Sequence, residues 1–151
     1  MNISIISSVT LLILISFCVT PKKMHIFEIL FIWIVVWLLM HPLSWIIYVN
    51  LTWIKVSTKL GDFWAYAFER LLLLPLLIVL FFEISLRFNR KTAKCFILFV
   101  AILILMLDEY ALLRMGVLQD VKWNIVYSFI GKSFILLVSY FLWMRFRRKF
   151  I

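Results

Sequence analysis

Residues 93–144 read AKCFILFVAILILMLDEYALLRMGVLQDVKWNIVYSFIGKSFILLVSYFLWM, two apolar runs joined by a short polar connection. The runs cover residues 93–113 and 123–144. Each reaches the roughly 20 mainly apolar residues that a helix needs to cross the hydrocarbon core of a bilayer. Each also carries an ionisable residue well inside it, Asp108 in the first and Lys132 in the second.

Working outward, the same pattern recurs over residues 3–20, 24–41 and 63–86. Of the 151 residues 66% are hydrophobic, and the mean hydropathy is +1.12. A soluble domain has roughly half its residues apolar, and a small globule keeps most of its side chains near its surface, where this excess could not hide. The expectation is an all-α, polytopic transmembrane bundle of about five helices (3–20, 24–41, 63–86, 93–113 and 123–144). It forms one domain over residues 1–151, with no length left for a soluble one.

Three details qualify the helices. Pro21-Lys22-Lys23 closes the first run, which lacks the leading positive charge and the small-residue cleavage site of a signal peptide, so a retained helix is expected. Translation from Met24 would remove that helix and leave the rest unchanged. The second apolar stretch runs from Met24 to Ile54, longer than one span. Pro42 should bend or end the helix near His41, and 43–54, with Trp45, Tyr48 and Trp53, should lie along the interface where such aromatics concentrate or continue the kinked helix. In the third run, Gly61-Asp62 suggests a turn and N-cap, and Pro75 a kink that neighbouring helices can accommodate.

The net charge of +9 resides in clusters at the ends of the runs, which is how topology signals are distributed and gives no sign of a nucleic-acid partner. One side carries Lys22, Lys23, Arg87, Arg90, Lys91, Lys94, Arg145, Arg147, Arg148 and Lys149. The other carries Lys55, Lys59, Arg70, Arg114 and Lys122, a split of ten against five. Cytoplasmic loops hold the excess of Lys and Arg. The expected location is therefore the plasma membrane, with the N-terminus outside and the C-terminus in the cytoplasm. Arg145, Arg147, Arg148 and Lys149 would meet anionic lipid headgroups. Cys18 and Cys95 fall near the reducing side, so no disulfide is expected.

Ionisable residues within a membrane cost about 2.5–3.5 kcal/mol each at the helix centre, and each needs a reason. At 1.5 Å rise per residue, Asp108 and Lys132 both lie about 20 Å above the cytoplasmic ends of consecutive antiparallel helices, which predicts an ion pair between them. Glu109, Glu69, Arg70 and His41 fall at similar heights. Together the six predict a polar cluster in the outer half of the bundle. Adjacent residues point about 100° apart, so Asp108 and Glu109 cannot both face one partner. Glu83 should pair with Arg87 at i+4. His25-x-x-Glu28 places two metal-ligand types on one helical face, but a metal site usually needs three or four ligands and no third is near in sequence, so no metal is expected.

No nucleophile elbow, zinc-protease motif or phosphate-cradling loop is present, and three glycines leave little for a nucleotide site, so no cofactor is expected. Small residues four apart, through which membrane helices pack closely, are nearly confined to Gly61-x-x-x-Ala65. Such helices suit contact with a membrane-protein partner or a second copy. The leading expectation is a non-enzymatic subunit or accessory protein of a bacterial membrane complex, with the lipid bilayer as solvent. The alternative is a small transporter or channel using the outer-half cluster. An intramembrane enzyme centred on His41, Glu69 and Asp108 ranks third.

Overall fold

A computed structural model describes residues 2–120, 122 and 124–150, without the side chains at 48, 49 and 120. Trp123, where the sequence places the start of the fifth run, lies outside the described residues, as does the side chain of Tyr48. The described residues are almost all helical. Helix α1 covers Asn2–Val19 and α2 covers Ile26–Trp45, continued by a π-helical segment Ile46–Asn50. Helix α3 (Leu60–Phe68), a second π segment (Glu69–Leu73) and α4 (Leu74–Ser85) follow one another without interruption. Helices α5 (Lys91–Arg114) and α6 (Ile125–Phe150) complete the bundle. By length and composition α1, α2, α5 and α6 are each able to cross a membrane.

The α3–α4 rod is the centre of the packing. It touches α1, α2 and α5, while α6 packs against α2 and α5. Ten of the twelve α4 residues are buried, among them Ile78, Val79 and Phe82. Toward the outside the helices are apolar too: Leu12, Phe27, Leu107 and Phe134 are each more than half exposed. An apolar residue on the outside of such a bundle meets lipid at no cost, so hydrophobicity does not distinguish the inner stripe from the outer one.

Both internal prolines are carried within helix. Proline lacks an N–H, and its ring crowds the carbonyl four residues back. Just before Pro75 the chain widens into the π segment, where the Leu74 N–H reaches the Glu69 carbonyl five residues back. Pro42 does not end its helix, and of the two courses expected for the residues after it the chain takes the helical one. Residues 43–50 continue the rod, and the interfacial segment read at 43–54 shrinks to the residues after Leu51. There Thr52 takes a left-handed φ of 50°, a conformation rare for a β-branched residue, and turns the chain out of the helix.

The all-helical expectation also missed a small ribbon. Strand β1 (Ile54–Val56) pairs antiparallel with β2 (Leu118–Asp120), Lys55 facing Gln119. Three-residue strands are too short to show a period of two. The ribbon sits at one end of the bundle, where Gly116 (φ 72°) makes the turn after α5. Asp62 gathers the same end. Its carboxylate accepts hydrogen bonds from Asn2 Nδ2 (2.7 Å) and Ser57 Oγ (2.9 Å). It does not cap α3, which starts one turn earlier, after Lys59.

The opposite end gathers the loop that contains Lys22 and Lys23, the α4–α5 connection and the α6 tail. Here Glu83, fully buried, accepts the backbone N–H groups of Lys23 (2.5 Å) and Met24 (3.0 Å). The expected Glu83–Arg87 pair does not form; Arg87 donates instead to the Pro21 carbonyl at 3.0 Å. Two backbone amides aimed at a buried carboxylate offer it more than an exposed guanidinium competing with water. Glu83→Ala should therefore cost about 3 kcal/mol, from two charge-assisted hydrogen bonds and two stranded amides. Arg87→Ala should cost less than about 1 kcal/mol. Thermal unfolding of the two variants in the same detergent checks the order.

Candidate functional site

The polar cluster forms, with different pairings and one member missing. Lys132, on α6, is 4% exposed, and its Nζ lies 3.3 Å from Glu109 Oε2 on α5, not beside Asp108. The sequence placed both acids at the right height but could not choose between them. Packing makes the choice, because the buried stripe of α5 runs Ile97, Ala101, Leu105, Glu109, Leu112. Glu109 thereby faces α6, and Asp108, about 100° round the helix, faces the α3–α4 rod.

On that rod the π segment presents Glu69 and Arg70. Glu69 is 1% exposed, and its Oε2 lies 3.2 Å from Arg70 Nε. The Asp108 carboxyl is within hydrogen-bonding reach of Glu69, and the Lys132 charge also acts on it. Five of the six expected residues thus converge, from three rods. His41 does not join them. It is exposed, stacked on Trp37 with ring centroids 5.3 Å apart, and accepts a hydrogen bond from Trp45 Nε1 at 3.2 Å. The constellation of His41, Glu69 and Asp108 on which an enzyme reading rests is therefore not assembled.

Beside the cluster lies a cavity of about 60 Å3 lined by Ser44, Arg70, Glu109, Ser128 and Lys132. That is room for a few water molecules, and far below the 300 Å3 or more of sites for organic ligands. On its other side Glu109 borders a cleft of about 580 Å3 between α5 and α6, which opens sideways past Leu103, Leu107 and Ile125. Below Lys132 the interior closes. Leu136, Leu105, Ile78 and Phe82 are each at most 1% exposed, and they fill most of the roughly 16 Å of helix between Lys132 and Trp143.

A second polar node, at the far end of that apolar stretch, escaped the sequence reading. Glu28 is 1% exposed. It accepts from Trp143 Nε1 (3.0 Å) and from the His25 backbone N–H (2.7 Å), and Arg147 Nε lies 3.7 Å away. His25 and Glu28 form a capping box at the start of α2. Their i, i+3 spacing therefore serves the helix terminus, the alternative signature of such a pair. Arg147, read as a headgroup contact, is turned inward to this node, while Arg145, Arg148 and Lys149 remain exposed. No sequence signal marked Glu28 as buried, because the last turns of α6 that cover it carry four cations.

Comparison with protein families, with characterised proteins and with solved structures gives no match.

Lys132→Met should destabilise the fold by about 3–5 kcal/mol, since it removes the ammonium that faces a buried carboxylate. The penalty should shrink when Glu109→Gln is also present. A double-mutant cycle measured by thermal unfolding in detergent decides the pairing: relief by Asp108→Asn and not by Glu109→Gln would refute it.

Proposed function

We propose that this chain is a small, non-enzymatic subunit of a bacterial membrane complex, crossing the plasma membrane five times. The observation that carries the reading is how its polar groups are spent. Lys132, Glu109, Glu28 and Glu83 each bind one part of the chain to another. The space beside Lys132 and Arg70 is water-sized, whereas the outward faces are broad and apolar. Helix α1 is the clearest case, with only Ile6 and Thr10 buried. Interlocked charge inside and unspecialised apolar surface outside suit a protein that lies against other membrane helices.

Light scattering of the protein purified in mild detergent tests this. The expected particle mass exceeds that of one chain and its detergent, from a second copy or a co-purifying membrane protein. A monodisperse monomer would overturn the reading.

The five-span arrangement follows from treating the α3–α4 rod as the third crossing. Its 26 residues, Leu60–Ser85, continue through the π segment, about 39 Å of helix at the α-helical rise. The Lys- and Arg-rich end then faces the cytoplasm. In a chain lacking Cys18 and Cys95, a cysteine at Lys59 should react with a membrane-impermeant maleimide in intact cells. One at Asn89 should react only after permeabilisation, and the opposite pattern would invert the orientation.

Transport is the second reading, favoured by the water-sized cavity beside Glu109 and Lys132. It requires a path through the apolar stretch between Leu136 and Trp143, which a change of conformation would have to open.

A further inference from the structure

Glu69 and Asp108 pose a chemical problem that the other buried carboxyls do not. Glu28 and Glu83 each accept two hydrogen bonds from nitrogen donors, and Glu109 faces the Lys132 ammonium. Glu69 is just as deeply enclosed, yet neither of its carboxyl oxygens accepts a hydrogen bond, and the enclosed Oδ2 of Asp108 accepts none. The nearby Arg70 Nε is close enough to Glu69 for charge attraction but donates no hydrogen bond to it. What does lie within hydrogen-bonding reach of Glu69 is the other carboxyl, Asp108. Two carboxylates can donate no hydrogen bond to each other and should not be left face to face.

The charges facing this pair lead to the same point. Its own rod contributes Arg70, α5 contributes Glu109 next to Asp108, and α6 contributes Lys132. Helix α1, packed against the π segment, contains no Asp, Glu, Lys, Arg or His. Three carboxyls therefore stand against two cations. Fully ionised, the cluster would hold a net negative charge in an apolar interior, where an uncompensated ion costs several kcal/mol. Adjacent carboxylates sharing one site do not both ionise readily. A single proton removes both difficulties, because it supplies the missing donor and neutralises the cluster.

We propose that Glu69 and Asp108 form a proton-binding site, in which one proton, taken up from water, is held between the two carboxyls. Asp108 is the less enclosed member. It lines a cleft of about 230 Å3 between α1, the central rod and α5, whereas Glu69 lies behind it. The site is thus a carboxylic acid hydrogen-bonded to a carboxylate, with Arg70 and Lys132 balancing the remaining negative charges. This inference goes beyond the subunit reading and does not depend on it, since it concerns the interior of one chain.

Infrared spectroscopy of the intact protein in lipid at neutral pH tests it. The expected spectrum contains the carbonyl stretch of a protonated carboxylic acid, shifted on exchange into deuterated water. The band should vanish in the Glu69→Gln, Asp108→Asn double variant and persist in Glu83→Gln. The amide side chains carry their own N–H donors, but they remove the negative charge the pair shares and leave Arg70 and Lys132 against Glu109 alone, so the double variant serves only if it folds. If it does not, alkaline titration of the unaltered protein serves: the band should fall reversibly by about one acid group per chain while carboxylate absorption rises. Absence of the band from the unaltered protein at neutral pH, or its survival in the folded double variant, would overturn the proposal. Neither result bears on the particle mass, so failure here is distinct from failure of the subunit reading.

Discussion

A carboxyl group enclosed among apolar helices has no water to turn to, and this constraint organises the bundle. Glu28, Glu69, Glu83 and Glu109 are all buried. For three of them the answer comes from a distant part of the chain. Glu28 on α2 is met by Trp143 and Arg147 on α6, Glu83 on α4 by the amides of the loop before α2, and Glu109 on α5 by Lys132 on α6. Each contact fixes rotation and height at once. Apolar side chains do not do this where lipid tails are as apolar as the core, because a Leu turned outward loses little.

The two polar levels differ in kind. At the basic end the carboxylates meet backbone amides and an indole N–H, directional donors that act as fasteners. In the other half, charges from three rods meet around Glu109, Lys132, Glu69, Arg70 and Asp108, next to a water-sized cavity. The apolar stretch between Leu136 and Trp143 keeps the levels apart. Burying an ion pair gains little stability of itself, since desolvation offsets most of the attraction. Its specificity lies in the penalty for every arrangement that leaves one charge alone.

The π segment at Glu69–Leu73 connects backbone and site. Proline at 75 prevents ordinary α-helical bonding to the turn before it, and the chain widens there. Glu69 and Arg70 project from that wide turn. Such insertions are frequent at functional sites in helices. Here the irregularity puts a carboxyl against α5 in the most enclosed rod of the bundle.

Much was legible in the chain itself. Run lengths set the helices and their number, because a bilayer of fixed thickness accepts few lengths. Lys and Arg divided the loops into two groups, and apart from Arg70, which is drawn into the interior cluster, the same two groups meet at opposite ends of the fold. The helical rise placed Asp108, Glu109 and Lys132 at one level. What sequence could not decide was rotation about each helix axis. Apolar residues cover every face, so no stripe revealed which side of α5 turned inward, and Glu109 rather than Asp108 took Lys132. For the same reason His41 was placed by height alone and proved to face outward, and Glu28 passed for an interfacial residue until α6 covered it. Height along a helix is a local property, counted in residues. Azimuth is set by the neighbours, and only tertiary packing supplies them.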